Sequence, residues 1–449
     1  MMSAHYSAKQ NQITEGVIWK QLLLFFFPIL LGSFFQQFYN TIDMIVVGRF
    51  VGTGALASVG GSAGQIVQLV VNAFTGLSAG AGVIISQFYG AKDLRNLDKS
   101  IHTAYAFSIF GSIFFMIAGI LASPALLRLM KTPEELLPDS EAYLRIYFAG
   151  ILFAFVYNIG SAILRATGDS KSPLYYLIFC CLLNVILDVV MVAGLHLGVS
   201  GVAIATVLAQ AFSAILITLR LMHSKDCYRL SLRHIRFHGS VLRSQLYVGL
   251  PGGFQSVMYS LSNLIIQASI NVYGTDTAAA WGSFGKLDAI FWMISNAFGV
   301  SITTFVGQNY GAGRSDRIRK GVRVCLLMDF GVSVLLAAFL ILLRVPLFSI
   351  FTTDSNVIEI GAHMLFLITP YYITFIFIEV FSSALRGVSD VIIPTILTLF
   401  GICVFRMVWI FLAVPLHPTI EMVIFSYPIT WITTSVLFII YYNVRKKKL

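Results

Sequence analysis

The sequence predicts an all-α polytopic membrane protein, with twelve transmembrane helices in two pseudo-symmetric six-helix lobes around a central cleft. Three observations predict it. Of 449 residues, 57% are hydrophobic and only 11% charged, under half the charged share usual for soluble domains. Apolar runs of about twenty residues recur along the whole chain, each long enough to cross a bilayer as a helix. The two halves also repeat each other at a fixed offset. A soluble chain this apolar could not cover its surface with polar groups. A cytosolic enzyme, a disordered regulator and a fibrous protein are therefore excluded.

The spans run, in order, over 17–48, 55–86, 101–123, 142–164, 173–195, 198–222, 244–273, 277–306, 320–343, 357–385, 391–414 and 419–443. The N-terminus is polar through Glu15. The first run is too long for a signal-peptide core and no small-residue cleavage site follows it, so it reads as a retained span. Pro28 inside it predicts a bend, because proline removes a backbone donor and clashes with the preceding turn. Pro251 in span 7 is its near-counterpart. The domain organisation expected is an N-terminal lobe over 17–222, a basic cytoplasmic linker over 223–243 and a C-terminal lobe over 244–443.

The formal net charge is +10, and its placement argues for topology rather than nucleic acid. The N-terminus, the loops after spans 2, 4, 6, 8 and 10, and the C-terminus together hold 23 of the 30 basic residues; the alternate loops hold five (Arg49, Arg128, Lys131, Arg145 and Arg344). The positive-inside rule then puts both termini in the cytoplasm of a cell-membrane protein. The five cysteines have no paired spacing for a disulfide or zinc framework. The eight histidines are scattered, so no metal or haem site is expected from them.

The repeat is visible in two loops. After span 2 the chain reads SQFYGA, with Gln87 and Tyr89; after span 8 it reads GQNYGA, with Gln308 and Tyr310, an offset of 221 (308 − 87). After spans 4 and 10, Arg165 pairs with Arg386, Asp169 with Asp390 and Pro173 with Pro394 at the same offset. Six spans per half give both halves one orientation. Parallel repeats of this kind are a transporter architecture with the substrate cavity between the halves.

Ionisable residues within spans are costly and mark function. Asp43 lies in span 1 and Asp188 in span 5, with Asn184 one turn before it on the same helix face; Thr206 lies in span 6. At 1.5 Å per residue, Asp188 sits about 22 Å in from the cytoplasmic end of its span, Thr206 roughly 13 Å below the outer surface and Asp43 roughly 8 Å from the outer end of span 1. All four fall in the outer half of a hydrocarbon core about 30 Å thick. Two carboxylates, an amide oxygen and a hydroxyl suit Na⁺; they equally suit a carboxylate pair that exchanges H⁺. The C-terminal half differs. Lys286 and Asp288 lie in span 8, Asp329 in span 9, Glu379 in span 10 and Arg406 in span 11, and two cations among three acids read as a static, mutually neutralising network. Gly76, Gly80 and Gly82 permit close helix approach in span 2. Gln65, Gln68 and Gln210 are polar within apolar runs.

The stretch NTIDMIVVGRFVGTGALASVG in the first span, the signatures SQFYGAKD and GQNYGAGR, and LRATGDSKSP after span 4 resemble the multidrug and toxic compound extrusion (MATE) family over about 17–443. The resemblance implies cation-coupled antiporters that export organic cations and other amphipathic compounds, with two six-helix lobes around a V-shaped cleft. It also implies that Asp43, Asn184, Asp188 and Thr206 form an acidic cation site in the N-terminal lobe. Span 7 offers Gln255, Tyr259, Ser260, Ser262 and Asn263 but no acid, which argues against the C-lobe site of some relatives.

The function expected is therefore secondary active export of amphipathic or cationic organic compounds in exchange for Na⁺ or H⁺. No cofactor is implied, the partners are the substrate and the lipid bilayer, and the chain reads as a monomer. A flippase for a lipid-linked precursor is the alternative, but it calls for several buried Arg or Lys to hold a pyrophosphate. An enzyme is not expected, since no catalytic cluster or nucleotide-binding loop is present. A reporter fused after Ser231 should stay cytoplasmic and one near Thr275 should be external; labelling of both from one side would overturn the topology.

Overall fold

The computed structural model describes residues 12–446. Lys9, Lys447 and Lys448, which add to the charge bias, lie outside the described residues. Among these, twelve long helical segments follow one another. They are α1 Ile18–Phe50, α2 Gly54–Gly90, α3 Leu94–Leu129, the bent pair Glu134–Ala149 and Ile151–Ala166 as α4, α5 Lys171–Gly194, α6 Gly198–Met222, α7 Gly239–Asn271, α8 Thr275–Gly311, α9 Ser315–Leu342, α10 Ser355–Gly387, α11 Ile392–Leu416 and α12 Ile420–Arg445. Ten are long and apolar enough to cross a membrane singly, and α4 is an eleventh if its two halves, bent by 48° at Gly150, act as one. The twelfth expected span, α7, is 33 residues long but is not among them. Glutamines, asparagine and three glycines near its middle dilute its apolar run.

Two helices that the sequence marks with proline run unbroken through it, Pro28 in α1 and Pro251 in α7. The chain nevertheless divides into two compact units next to those prolines. One contains Phe27–Gly253; the other contains Gln12–Phe26 and Phe254–Leu449. The boundary between these units thus falls inside α1 and α7.

Packing explains this placement. Adding a Cβ to Gly76 would overlap the backbone of Gly253, and one on Gly80 the backbone of Gly249. Only the missing side chains let α2 and the first half of α7 touch backbone to backbone. Gly82 is different: its Cβ would meet Ala162 at an ordinary 3.6 Å. The start of α1 is held in the second unit by Arg317, whose Nη2 donates to the carbonyls of Ile13 (3.0 Å) and Gly16 (2.7 Å), and by Phe26 stacked on Phe298 at 4.2 Å.

The basic linker docks on the N-terminal end of α3. Ser231 N donates to His102 Nε2 (3.0 Å), His238 N to Thr103 Oγ1 (3.2 Å), and Gln245 Nε2 to Ser100 O (2.9 Å). Burial, with Arg236 and Lys99 nearby, holds the His238 imidazole below its usual range. It stays neutral and its Nε2 accepts from Arg236 Nε at 3.2 Å.

The repeat extends to the backbone. Left-handed turn residues recur at the same offset: Lys92 (φ 56°) and Gly313 (φ 69°), and Gly168 (φ 104°) and Ser389 (φ 63°), each 221 apart. Asp169 and Asp390 beside the second pair receive Arg220 at 3.5 Å and Arg445 at 2.6 Å, so each ties its loop to the last turns of the sixth helix of its half.

Because the contact at Gly80 is with backbone, it cannot be relieved by a side-chain rotation. Gly80→Val should lower stability by about 1–3 kcal/mol or more, as overpacking does, while Gly82→Ala is tolerated. Melting temperature in detergent checks this; equal tolerance of both would refute the crossing.

Candidate ion site in the first unit

Asp188 is the last residue before the α-helix widens into the π-helical stretch Val189–Gly194. A single π turn inside an α-helix costs hydrogen-bond geometry and concentrates at functional sites. Asp188 and Asn184, one turn apart, are buried, at 0% and 1% exposure. Asp43 of α1 lies close enough to Asp188 for the two carboxyls to hydrogen-bond once one carries a proton. Without that proton they have only acceptor atoms: Asp43 Oδ1, both Asp188 oxygens, and both polar atoms of Asn184 are buried with no hydrogen-bond partner. Among the described residues no ion pair reaches either acid.

Buried polar groups without partners are rare, and a cluster of them calls for an ion or water. The structure thus brings together three of the four residues singled out in the sequence. The fourth, Thr206, is buried on α6 but makes no hydrogen bond to the acids. One turn further on, Gln210 has a buried Oε1 without a partner, although Tyr147 of α4 adjoins it.

Tyrosines complete the surroundings. Tyr39, one turn before Asp43, is within electrostatic reach of Asp43, Tyr143 and Tyr147, and Tyr143 is within reach of both acids. The Tyr143 and Tyr147 rings stack 6.3 Å apart. Sequence reasoning missed these tyrosines. Their one signal was the i, i+4 spacing of Tyr143 and Tyr147 at the start of span 4.

The second unit departs from the expected static network. Lys286 is exposed on its helix rather than buried, and among the described residues no ion pair joins it, Asp288, Asp329, Glu379 or Arg406. Asp288 is satisfied by neutral donors instead, Trp292 Nε1 and Tyr372 OH, both at 2.6 Å. Arg406, 2% exposed, lies 4.0 Å over the Tyr427 ring and donates to Thr430 Oγ1 at 3.4 Å. Aromatic faces and phenol groups can solvate a buried charge without a counter-ion, which spacing along the chain does not reveal.

Nor are the histidines all scattered: ligand atoms of Asp98, His102 and His234 lie within 4.8 Å of one another. They do not make a metal centre as they stand. His102 Nε2 accepts from Ser231 N, which leaves Nδ1 to donate to Asp98 O at 2.8 Å, so His102 has no lone pair left for a metal.

The MatE family model matches residues 28–190 and again 251–412. The chain belongs to this family. The two matches begin at Pro28 and Pro251, so the family unit is the repeat itself. The probable multidrug resistance protein YoeA of Bacillus subtilis (strain 168) is 29% identical over 393 residues, 86% of this chain and 84% of that one. The probable multidrug resistance protein YpnP of the same organism is 33% identical over 310 residues, 69% of each chain. Among solved structures, a MOP superfamily transporter from Pyrococcus furiosus shares the fold with a TM-score of 0.90 at 21% identity, over 99% of both chains. This MatE chain is accordingly a multi-pass membrane transporter of the multidrug efflux type, and the flippase alternative is not favoured.

Since the Asp188 carboxylate has no hydrogen bond to lose, its near-isosteric replacement in Asp188→Asn should change stability by less than about 1 kcal/mol, the size of one ordinary hydrogen bond. A larger drop in detergent melting temperature would mark the acid as a structural anchor instead.

Proposed function

We propose that this MatE-family protein exports small amphipathic or cationic organic compounds in exchange for Na⁺ or H⁺, and that the ion binds at Asp43 and Asp188 with Asn184, Thr206 and Gln210. The observation that carries the reading is the carboxyl pair of buried Asp188 and half-buried Asp43, with three buried oxygens unpartnered and no cation beside them. The names of the Bacillus relatives, both probable multidrug resistance proteins, support the substrate class. The protein works as a monomer in the cell membrane with both termini cytoplasmic, a reading supported by the basic loops.

The chemistry follows from charge. Two carboxylates facing each other in a water-poor space repel; two unit charges 4 Å apart interact by about 4 kcal/mol at an effective dielectric of about 20. A bound Na⁺ or proton removes that repulsion, so α1 can pack against α5. Loss of the ion restores it and favours separation. An ion shifts a conformational equilibrium only by its difference in affinity for the two states, and a carboxyl pair whose spacing changes supplies such a difference. The neutral donors set the choice of ion. Asn184 Oδ1, Thr206 Oγ1 and Gln210 Oε1 offer hard oxygens to Na⁺, while a proton needs only the two acids.

Ethidium efflux from reconstituted vesicles, with Na⁺ and pH gradients imposed separately, tests the assignment. One of the two gradients should drive efflux, and Asp43→Asn should cut that component by about tenfold or more, equivalent to at least 1.4 kcal/mol, while folded protein remains. Efflux of Asp43→Asn near the wild-type rate would falsify the coupling role.

A further inference from the structure

We propose that Asp329 and Glu379 form a second ion site, a proton-binding carboxyl pair inside the second unit and separate from Asp43 and Asp188. Cys325, Asp329 and Ser333 are spaced four residues apart and so share one face of α9. Asp329 is 0% exposed. Its Oδ1 accepts from Ser333 Oγ at 3.3 Å, and its Oδ2 is buried with no partner. Glu379 of α10 accepts from Ser383 Oγ at 3.2 Å on Oε1. That oxygen rests against Gly299 of α8, where an added Cβ would overlap it. Thr303, one turn beyond Gly299, donates to the carbonyls of Gly299 (2.8 Å) and Ser383 (3.0 Å) and pins the two helices at this level.

The two acids are within electrostatic reach of each other, with Cys325 beside them. Arg386 on the same helix and Tyr259 on the packed α7 face Glu379. Arg386 lies two turns along the helix and makes no ion pair with it. Asp329 is buried and Glu379 half-buried; a carboxylate pair so placed, with no counter-ion in contact and no full set of donors, cannot stay doubly ionised. The serine hydroxyls donate to the carboxylates and the threonine hydroxyl to backbone, so no donor is left over for the Asp329 Oδ2. A proton needs only that unpartnered oxygen, whereas Na⁺ needs several oxygen ligands arranged around it.

The repeat argues against a merely structural role. At the 221 offset Asp329 and Glu379 correspond to Ser108 and Asn158 (329 − 221 and 379 − 221). Both counterparts are satisfied locally, Ser108 Oγ donating to Tyr105 O at 2.8 Å and Asn158 Nδ2 to Ala154 O at 2.8 Å. Neutral residues therefore complete this helix junction in the first half, and the acids of the second half add chemistry that packing does not require.

Infrared difference spectroscopy of the full chain in lipid discs, on stepping pH, reads protonated buried carboxyls through their C=O stretch. The Asp43→Asn/Asp188→Asn background isolates the second unit. It should retain one carboxyl band that titrates, with uptake of one proton per molecule, and Asp329→Asn or Glu379→Gln in that background should abolish both. Gly299→Ala keeps both acids and displaces only the flexible end of Glu379, so it should shift the band's frequency and titration midpoint even where the acid-to-amide variants fold poorly. A background spectrum without the band, or one unchanged by Gly299→Ala and by both amide variants, overturns the proposal. The result does not depend on efflux, so it stands or falls apart from the coupling role of Asp43.

Discussion

In hydrocarbon no water is available to backbone N–H and C=O groups, so each must be satisfied within the protein, and helices do this within one segment. Much of the polar chemistry of this protein follows from that constraint. Side chains that can donate turn back on their own helix: Ser78 bonds to Phe74 O, Ser123 to Gly119 O, Ser301 to Ala297 O and Thr398 to Pro394 O. A carboxylate within a helix has no such recourse. It only accepts, and the N–H groups around it are already used. Each buried acid must find a donor on another residue, a cation or a proton.

The acids resolve this need in different ways, and the difference separates structure from chemistry. Asp288 has an indole N–H and a phenol O–H, both short, and is complete without an ion. Asp169 and Asp390, in the loops after α4 and α10, have arginines. Asp43, Asp188 and Asp329 keep oxygens with no partner at all. Leaving a buried polar group unsatisfied costs about 1–3 kcal/mol, more for a charge. Such groups therefore mark where the fold has kept room for something that comes and goes.

Duplication gave the two halves one backbone and let their side chains diverge. Turn residues with positive φ recur at the same spacing, as do the loop aspartates and the break in spans 4 and 10, at Gly150 and at Thr369–Tyr371. The ion-site positions do not recur. Asn184 and Asp188 correspond to Phe405 and Trp409, and Trp409 Nε1 donates to Met422 O at 2.8 Å to close its own junction. A backbone repeat is thus compatible with acids at one interface in one half and at a different interface in the other.

The sequence by itself determined the membrane class, the helical spans, the repeat, the loop charges and the acids of α1 and α5. Each of these depends on local composition or on spacing along one helix. Asn184 and Asp188 were legible because a 3.6-residue period puts them on one face, and Gly76 and Gly80 because small residues four apart make a groove. Tertiary structure decided the rest. It placed the boundary between the two compact units inside α1 and α7, where glycines of two helices meet. It supplied Gln210 and the tyrosines around the acids, left Thr206 without a bond to them, exposed Lys286 and set Arg406 over an aromatic ring. These outcomes depend on which faces of different helices meet, and hydropathy carries no such information, because lipid and a neighbouring helix are equally apolar to the side chains they cover.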